Sequence, residues 1–152
     1  MIARRATLAD LPDILRMGAA FHAASPVHQS IPFDSDSLQQ FCEQAFDNTE
    51  VGFWVAADGD RIAGMAAAVI FPSYFNHTAT IVQELFWWVD SDARGIGAGK
   101  QLIKSIEQWA ADLDAKAVFM IALADKNEEK MQNVYARRGY RPLERTFIRE
   151  VM

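Results

Sequence analysis

The stretch Arg94-Gly95-Ile96-Gly97-Ala98-Gly99 constrains this chain more than any other. It follows an apolar run over residues 81–89 and opens an amphipathic segment over residues 100–113, so it reads as a glycine-rich turn between a strand and a helix. Glycines have no Cβ and let a ligand come close to the backbone. The first N–H groups of a helix lack intrahelical partners and carry partial positive charge. Such a turn suits an anion, most naturally a phosphate or pyrophosphate, and Arg94 sets a permanent cation at its edge. Spacing narrows the ligand. A dinucleotide fingerprint needs glycine where the chain has Lys100. A nucleotide P-loop ending at Gly99-Lys100 needs glycine at 94 and Ser or Thr at 101, where the chain has Arg94 and Gln101. What remains has the form Arg-x-x-Gly-x-Gly, with a plain strand–helix turn as the alternative for these six residues alone.

The rest of the chain builds a sheet around that unit. Residues 2–6 read as a short strand, and Thr7-Leu8-Ala9-Asp10 as a capping box that starts a helix carrying Leu11, Ile14, Leu15, Gly18 and Phe21. A break with Pro26 and Pro32 precedes a second helix over residues 37–46. Strands follow over 51–57 and 61–71, joined by an Asp58-Gly59-Asp60 turn, then a loop over 72–77 and the central strand over 78–89. After the helix that the glycines open come a strand over 117–123 and a helix capped by Asp125 or Asn127 and ended by Arg137-Arg138-Gly139. A last strand is expected over 141–151, with a short one at Tyr140 before it. The order β-α-α-β-β-β-α-β-α-β defines an α/β mixed sheet with helices on its faces. At 152 residues, with no repeat or linker, one domain spans 1–152.

A second motif lies at a fixed distance from the first. Asn127, Tyr135, Gly139 and Tyr140 stand in the register Asn-x7-Tyr-x3-Gly-aromatic, and the branched Val89 stands five residues before Arg94. Together these resemble the GNAT N-acetyltransferase family, whose members share the element order and use the Arg-x-x-Gly-x-Gly turn for the pyrophosphate of acetyl-CoA. The resemblance implies an acetyl-CoA-dependent N-acetyltransferase that moves an acetyl group to a primary amine by direct attack in a ternary complex. It implies a pantetheine arm between two splayed strands, bordered by Trp87, Trp88 and Val89. Arg94, Gly95, Ile96, Gly97, Ala98, Gly99 and Lys100 would face the pyrophosphate, and Asn127 would bond to pantetheine or fix the turn beside it. Tyr135 sits where the family often has a tyrosine beside the coenzyme sulfur, as general acid to the departing thiolate. A core aromatic is the plainer reading of Tyr135.

Glu84 is the best candidate base, because a carboxylate inside an apolar run tends to have a raised pKa. Strict alternation would put it on the same face as Phe86 and Trp88, where it could equally be a solvated or paired carboxylate, and water could take the proton instead. His22, His28 and His77 are further candidates. By resemblance the acceptor site lies between residues 21–33 and 71–77, with His28, Phe33, Tyr74 and His77 as candidate contacts. The aromatics there could equally bury one another.

The net charge of −5 argues against nucleic acid and suits a cationic small-molecule or peptide amine. Three histidines and one cysteine, Cys42, offer no metal cluster and no internal disulfide, so no metal is expected and Cys42 reads as a buried small residue. No run reaches membrane-spanning length, and Arg4, Arg5 and Asp10 interrupt any leader, so no membrane partner and a cytoplasmic location are expected. A homodimer is left open. The rival reading is a non-catalytic acyl-CoA-binding module of the same fold, serving sensing or assembly.

Overall fold

The computed structural model describes residues 1–27 and 30–151. The elements are β1 (Ile2–Arg5), a 3-10 turn (Leu8–Asp10), α1 (Leu11–Ala24), α2 (Ser35–Ala45), β2 (Val51–Asp58), β3 (Arg61–Ser73), β4 (Asn76–Val89), a second 3-10 turn (Ser91–Ala93), α3 (Ala98–Asp112), β5 (Ala117–Phe119) and α4 (Glu128–Arg137). The sheet order is β1-β2-β3-β4-β5, antiparallel throughout except for the parallel β4–β5 pair that α3 connects. Among the described residues no helix is long and apolar enough to cross a membrane.

The helix ends follow from their residues. Asp10 reaches back to the Thr7 N–H (2.9 Å) and is clasped by two Arg4 nitrogens, each at 2.8 Å, which pins the end of β1 to the start of α1. Its carboxyl is held below the usual range, chiefly by Arg4 and against the effect of burial. The Asp34 carboxylate accepts from the Ser37 N–H at 3.1 Å and starts α2. α4 stops at Gly139, whose φ of 90° continues the chain left-handed. There the Tyr140 N–H bonds to the Tyr135 carbonyl and the Gly139 N–H to the Ala136 carbonyl, the Schellman pattern.

Two apolar layers flank the sheet. On one side α3 lays Leu102, Ile106, Trp109 and Ala110 against Trp54, Ala66, Ala68 and Val82. On the other, α1 and α2 bring Ile14, Met17 and Cys42 onto Phe53, Val55 and Met65. Fully burying one such large side chain stabilises the fold by roughly 1.5–3 kcal/mol. Cys42 is completely buried, and burial, with Glu43 adding, pushes its thiol up to about 11. Leu113, grouped with the apolar face by its spacing, is 42% exposed because α3 ends at Asp112.

Three expectations need correction. First, β4 does not alternate strictly. Ala67 pairs with Phe86 but Ala68 with Glu84, so Leu85 is an extra residue in β4. The bulge reverses the facing of everything after it. Glu84 therefore shares the α3 side with Val82 and Trp87, while Phe86 and Trp88 face α1 and α2. Second, residues 72–77 form no loop: β3 and β4 run on as a ribbon to a tight turn at Tyr74 and Phe75, which are 83% and 100% exposed. Third, no strand forms over residues 140–151, all exposed except Tyr140. β5 gives them only three paired residues to follow, Ala117–Phe119, and Pro142 lacks a ladder donor.

Deleting Leu85 would remove the bulge and turn one half of β4 to the wrong face. We expect that deletion to abolish the cooperative thermal transition followed by circular dichroism. Leu85→Ser keeps the residue count at a side chain that is 37% exposed, and should melt within a few degrees of wild type.

Candidate active site

β4 and β5 pair through Ile81–Ala117, Val82–Val118 and Gln83–Phe119, and then part. Where they part, side chains take over the backbone groups that the ladder leaves unpaired. The Ile121 N–H donates to Glu84 Oε2 at 3.2 Å, and the Tyr135 hydroxyl donates to the Ile121 carbonyl at 2.7 Å. Trp87 Nε1 donates to the Tyr135 hydroxyl oxygen at 3.1 Å. Glu84 and Tyr135 thus hang on the two sides of one peptide residue, with Trp87 joined to the tyrosine. Glu84 is 3% exposed and Tyr135 7%. Burial pushes the Glu84 carboxyl up to about 8, with the Ile121 N–H pulling the other way. Burial, with Glu84 nearby, raises the Tyr135 phenol well above its usual value, and the Trp87 N–H opposes that rise.

The glycine turn lies just beyond. Gly95 and Gly97 have φ of 82° and 97°, the left-handed region that glycine adopts without strain, and nothing lies within 4 Å of where a Cβ would stand on either. Gly97 is the N-cap of α3 and has no side chain with which to cap it. The Gln101 N–H is the one that reaches the Gly97 carbonyl (3.0 Å), so the N–H groups of Ala98, Gly99 and Lys100 have no carbonyl one turn back. Gly99 is glycine for another reason: a Cβ there would lie 2.8 Å from the Trp87 ring. Open backbone, a positive helix end and space over both glycines fit a pyrophosphate-bearing ligand.

Arg94 does not project freely. Its Nε donates to the Val89 carbonyl at 2.9 Å, and its guanidinium lies 4.8 Å over the Trp88 ring. The Trp88 indole N–H donates to Asp90 at 3.0 Å, and Asp90 pairs with Arg16 of α1 at 2.9 Å. Burial works against ionisation of Asp90, but Arg16, the Trp88 N–H and Arg61 outweigh it and hold the carboxyl below the usual range. Arg16, Arg61, Trp88 and Asp90 line a cavity of about 490 Å³ on the α1 side, in which Asp13, Asp90 and Asp92 pair with Arg16 or Arg61.

The structure therefore brings together Glu84, Trp87 and Tyr135, with the glycine turn against the Trp87 ring. Val89 is buried in the same layer. Trp88 lies on the opposite face, packed edge-on against Phe21. Asn127 stands at the N-cap position of α4, its N–H bonded to Asp125 at 2.8 Å, with no side-chain cap bond. Phe33 lies beside His22, ring centroids 5.7 Å apart, while Tyr74 and His77 are at the exposed end of the β3–β4 ribbon. His28 lies outside the described residues. Phe21 packs onto Phe86 as well as Trp88, so this ring belongs to the core. Ile121 went unnoticed in the sequence because it acts through its backbone, which leaves no residue-type signal. The Arg16–Asp90 link, 74 positions apart in sequence, had none either.

A family model described as the acetyltransferase (GNAT) family matches residues 17–140. The chain belongs to that family. Among solved structures it is similar to a transcriptional regulator from Bacillus halodurans C-125, at 19% identity and a TM-score of 0.78, with 98% of each chain covered. It is also similar to the aminoglycoside antibiotic 6'-N-acetyltransferase AAC(6')-IG of Acinetobacter haemolyticus, at 18% identity and a TM-score of 0.75, covering 100% of this chain and 99% of that one. A third likeness is to AAC(6')-Iy bound to the bisubstrate analogue CoA-S-monomethyl-acetylneamine, at 18% identity and a TM-score of 0.76, covering 99% and 97%. No curated protein matches the sequence.

The raised Glu84 pKa has a measurable consequence. Between the ordinary value of 4.5 and about 8 the folded state keeps a proton that the unfolded chain releases. Stability then falls as pH rises through that window. Glu84→Gln removes this dependence. The wild-type melting temperature should drop more steeply between about pH 5 and 8 than that of the variant; parallel profiles would place the titration of Glu84 elsewhere.

Proposed function

We propose that the protein is an acetyl-CoA-dependent N-acetyltransferase, acting as one domain over residues 1–152 and acetylating a primary amine of a small cationic molecule. The observation that carries this reading is the meeting of Glu84 and Tyr135 at Ile121, in the gap between β4 and β5 on the side where the glycine turn packs against Trp87. Ala98, Gly99 and Lys100 offer N–H groups to the pyrophosphate, and the parting strands receive the pantetheine arm beside Val89. The bound thioester supplies an activated acyl group, so no covalent enzyme intermediate is needed once both substrates are held in contact.

Glu84 takes a proton from the amine. A base with a pKa of about 8 is partly ionised at neutral pH and strong enough to accept a proton, near the optimum for this role. Tyr135, with its pKa raised, stays protonated across the working range and can give a hydrogen bond or a proton to the leaving sulfur. Activity limited by Glu84 should therefore rise with pH up to about 8. The acceptor class rests on two supports: the net charge of −5, and the aminoglycoside acetyltransferases among the structures the chain resembles.

One observation favours the non-catalytic rival. The Tyr135 hydroxyl already has a donor and an acceptor in Trp87 and the Ile121 carbonyl, which a purely structural tyrosine would also show. Three experiments test the reading, and the third separates enzyme from binder. Acetyl-CoA should raise the melting temperature far more than NAD or ATP, by mass action on the folded state. Gly97→Asp, which puts a carboxylate where the pyrophosphate approaches, should weaken coenzyme binding by orders of magnitude in calorimetry while the fold survives. Equal shifts from all three ligands would overturn the reading. Tyr135→Phe should lower kcat about 10²-fold with coenzyme affinity and melting temperature little changed. Wild-type turnover in that variant would remove Tyr135 as the acid.

A further inference from the structure

We propose that Trp87 is a positioning residue for the transfer step: its indole N–H holds the Tyr135 phenol in place and supports the charge left there when the proton is given to sulfur. This rests on the reading of Tyr135 as the acid. Three observations meet in this side chain. Nε1 donates to the Tyr135 oxygen at 3.1 Å, so the phenol oxygen accepts one hydrogen bond while its own proton points to the Ile121 carbonyl. A phenol that accepts a hydrogen bond becomes a better donor, and its phenolate is better stabilised. The same indole ring lies directly under the first turn of α3, where any side chain at Gly99 would strike it at 2.8 Å. The Leu85 bulge, finally, turns Trp87 to this side, although it stands three residues from Glu84. One rigid ring thus links the helix end assigned to the pyrophosphate with the hydroxyl assigned to the leaving sulfur.

The chemistry balances as follows. The amine nitrogen forms a bond to the acyl carbon as the carbon–sulfur bond breaks, and sulfur leaves with that electron pair. The nitrogen loses a proton to Glu84. Sulfur gains the Tyr135 proton, and the phenolate accepts the Trp87 hydrogen bond until a proton returns. The products are an amide and a free thiol. Nothing is oxidised or reduced.

Trp87→Phe keeps an aromatic ring at position 87 and removes the N–H together with the outer ring edge that meets Gly99. We expect kcat to fall about tenfold, the scale of one hydrogen bond, with KM for the acyl donor and calorimetric coenzyme affinity unchanged. The loss should shrink with a donor whose leaving thiol is more acidic. In a Tyr135→Phe background the same change should do nothing further, because the N–H would have no phenol to support. If the phenylalanine variant fails to fold, β-(3-benzothienyl)alanine at position 87 keeps the outline of tryptophan and replaces the N–H with sulfur. Full activity in either variant, or a loss of the same size in the Tyr135→Phe background, overturns the proposal. Those results are distinct from failure of the acid assignment itself, which Tyr135→Phe alone reports.

Discussion

One extra residue in β4 governs the molecule. Without the bulge at Leu85, Glu84 and Trp87 would stand on opposite faces, and a carboxylate would be pressed into the aromatic layer of Phe21, Phe41 and Phe53. With it, both lie on the α3 side, at the point where β5 leaves the sheet. The parting of the strands leaves the Ile121 N–H and carbonyl without a ladder partner, and side chains take them up instead. Glu84 and Tyr135 do so. The same backbone vacancy that would destabilise an ordinary sheet therefore assembles the polar cluster.

That arrangement is bought with stability. A carboxyl that is 3% exposed and has one N–H partner, from Ile121, holds its proton to a higher pH than usual, because ionising it there is unfavourable. The surrounding layers offset the loss: α3 and the alanine-rich stretch of β3 are packed with essentially no exposure at Ala63, Ala66, Ala68, Leu102 and Ile106. Small residues in the central strand let α3 approach closely; a Cβ on Gly64 would already lie 3.1 Å from Leu102. On the other face, Arg16, Asp90, Trp88 and Arg94 form a continuous chain of contacts from α1 to the edge of the glycine turn. Both faces thus brace the same turn.

Much of this was legible in the sequence, and what was not has a physical cause. The strand–turn–helix around Arg94 and Gly99 follows from local glycine and periodicity signals, which need no tertiary knowledge. Gly139 ending α4, and Cys42 as a buried residue, follow equally directly. The facing of Glu84 could not be read, because the bulge is fixed by pairing with β3, and residues 85–89 are all apolar, so no alternation of residue types marks the change of phase. The strand expected over 141–151 failed for a related reason. Its β-branched and aromatic residues mark a preference for pairing, but a strand needs an edge to pair with, and β5 ends at Phe119. Trp87 and Trp88 look equivalent as adjacent letters, yet one meets Tyr135 and the other Arg94.

Cys42 is the chain's single cysteine, has no solvent exposure, and carries a thiol pushed up to about 11. The thiolate is the reactive form of the group, so we expect the folded protein to be silent towards a thiol-reactive chromophore. Under the proposed reaction, coenzyme thiol released during turnover would be counted with such a dye against no background from the protein. When the chain opens, it presents one new equivalent of reactive sulfur, and the dye that follows catalysis then also reports the loss of the fold, without any label having been introduced.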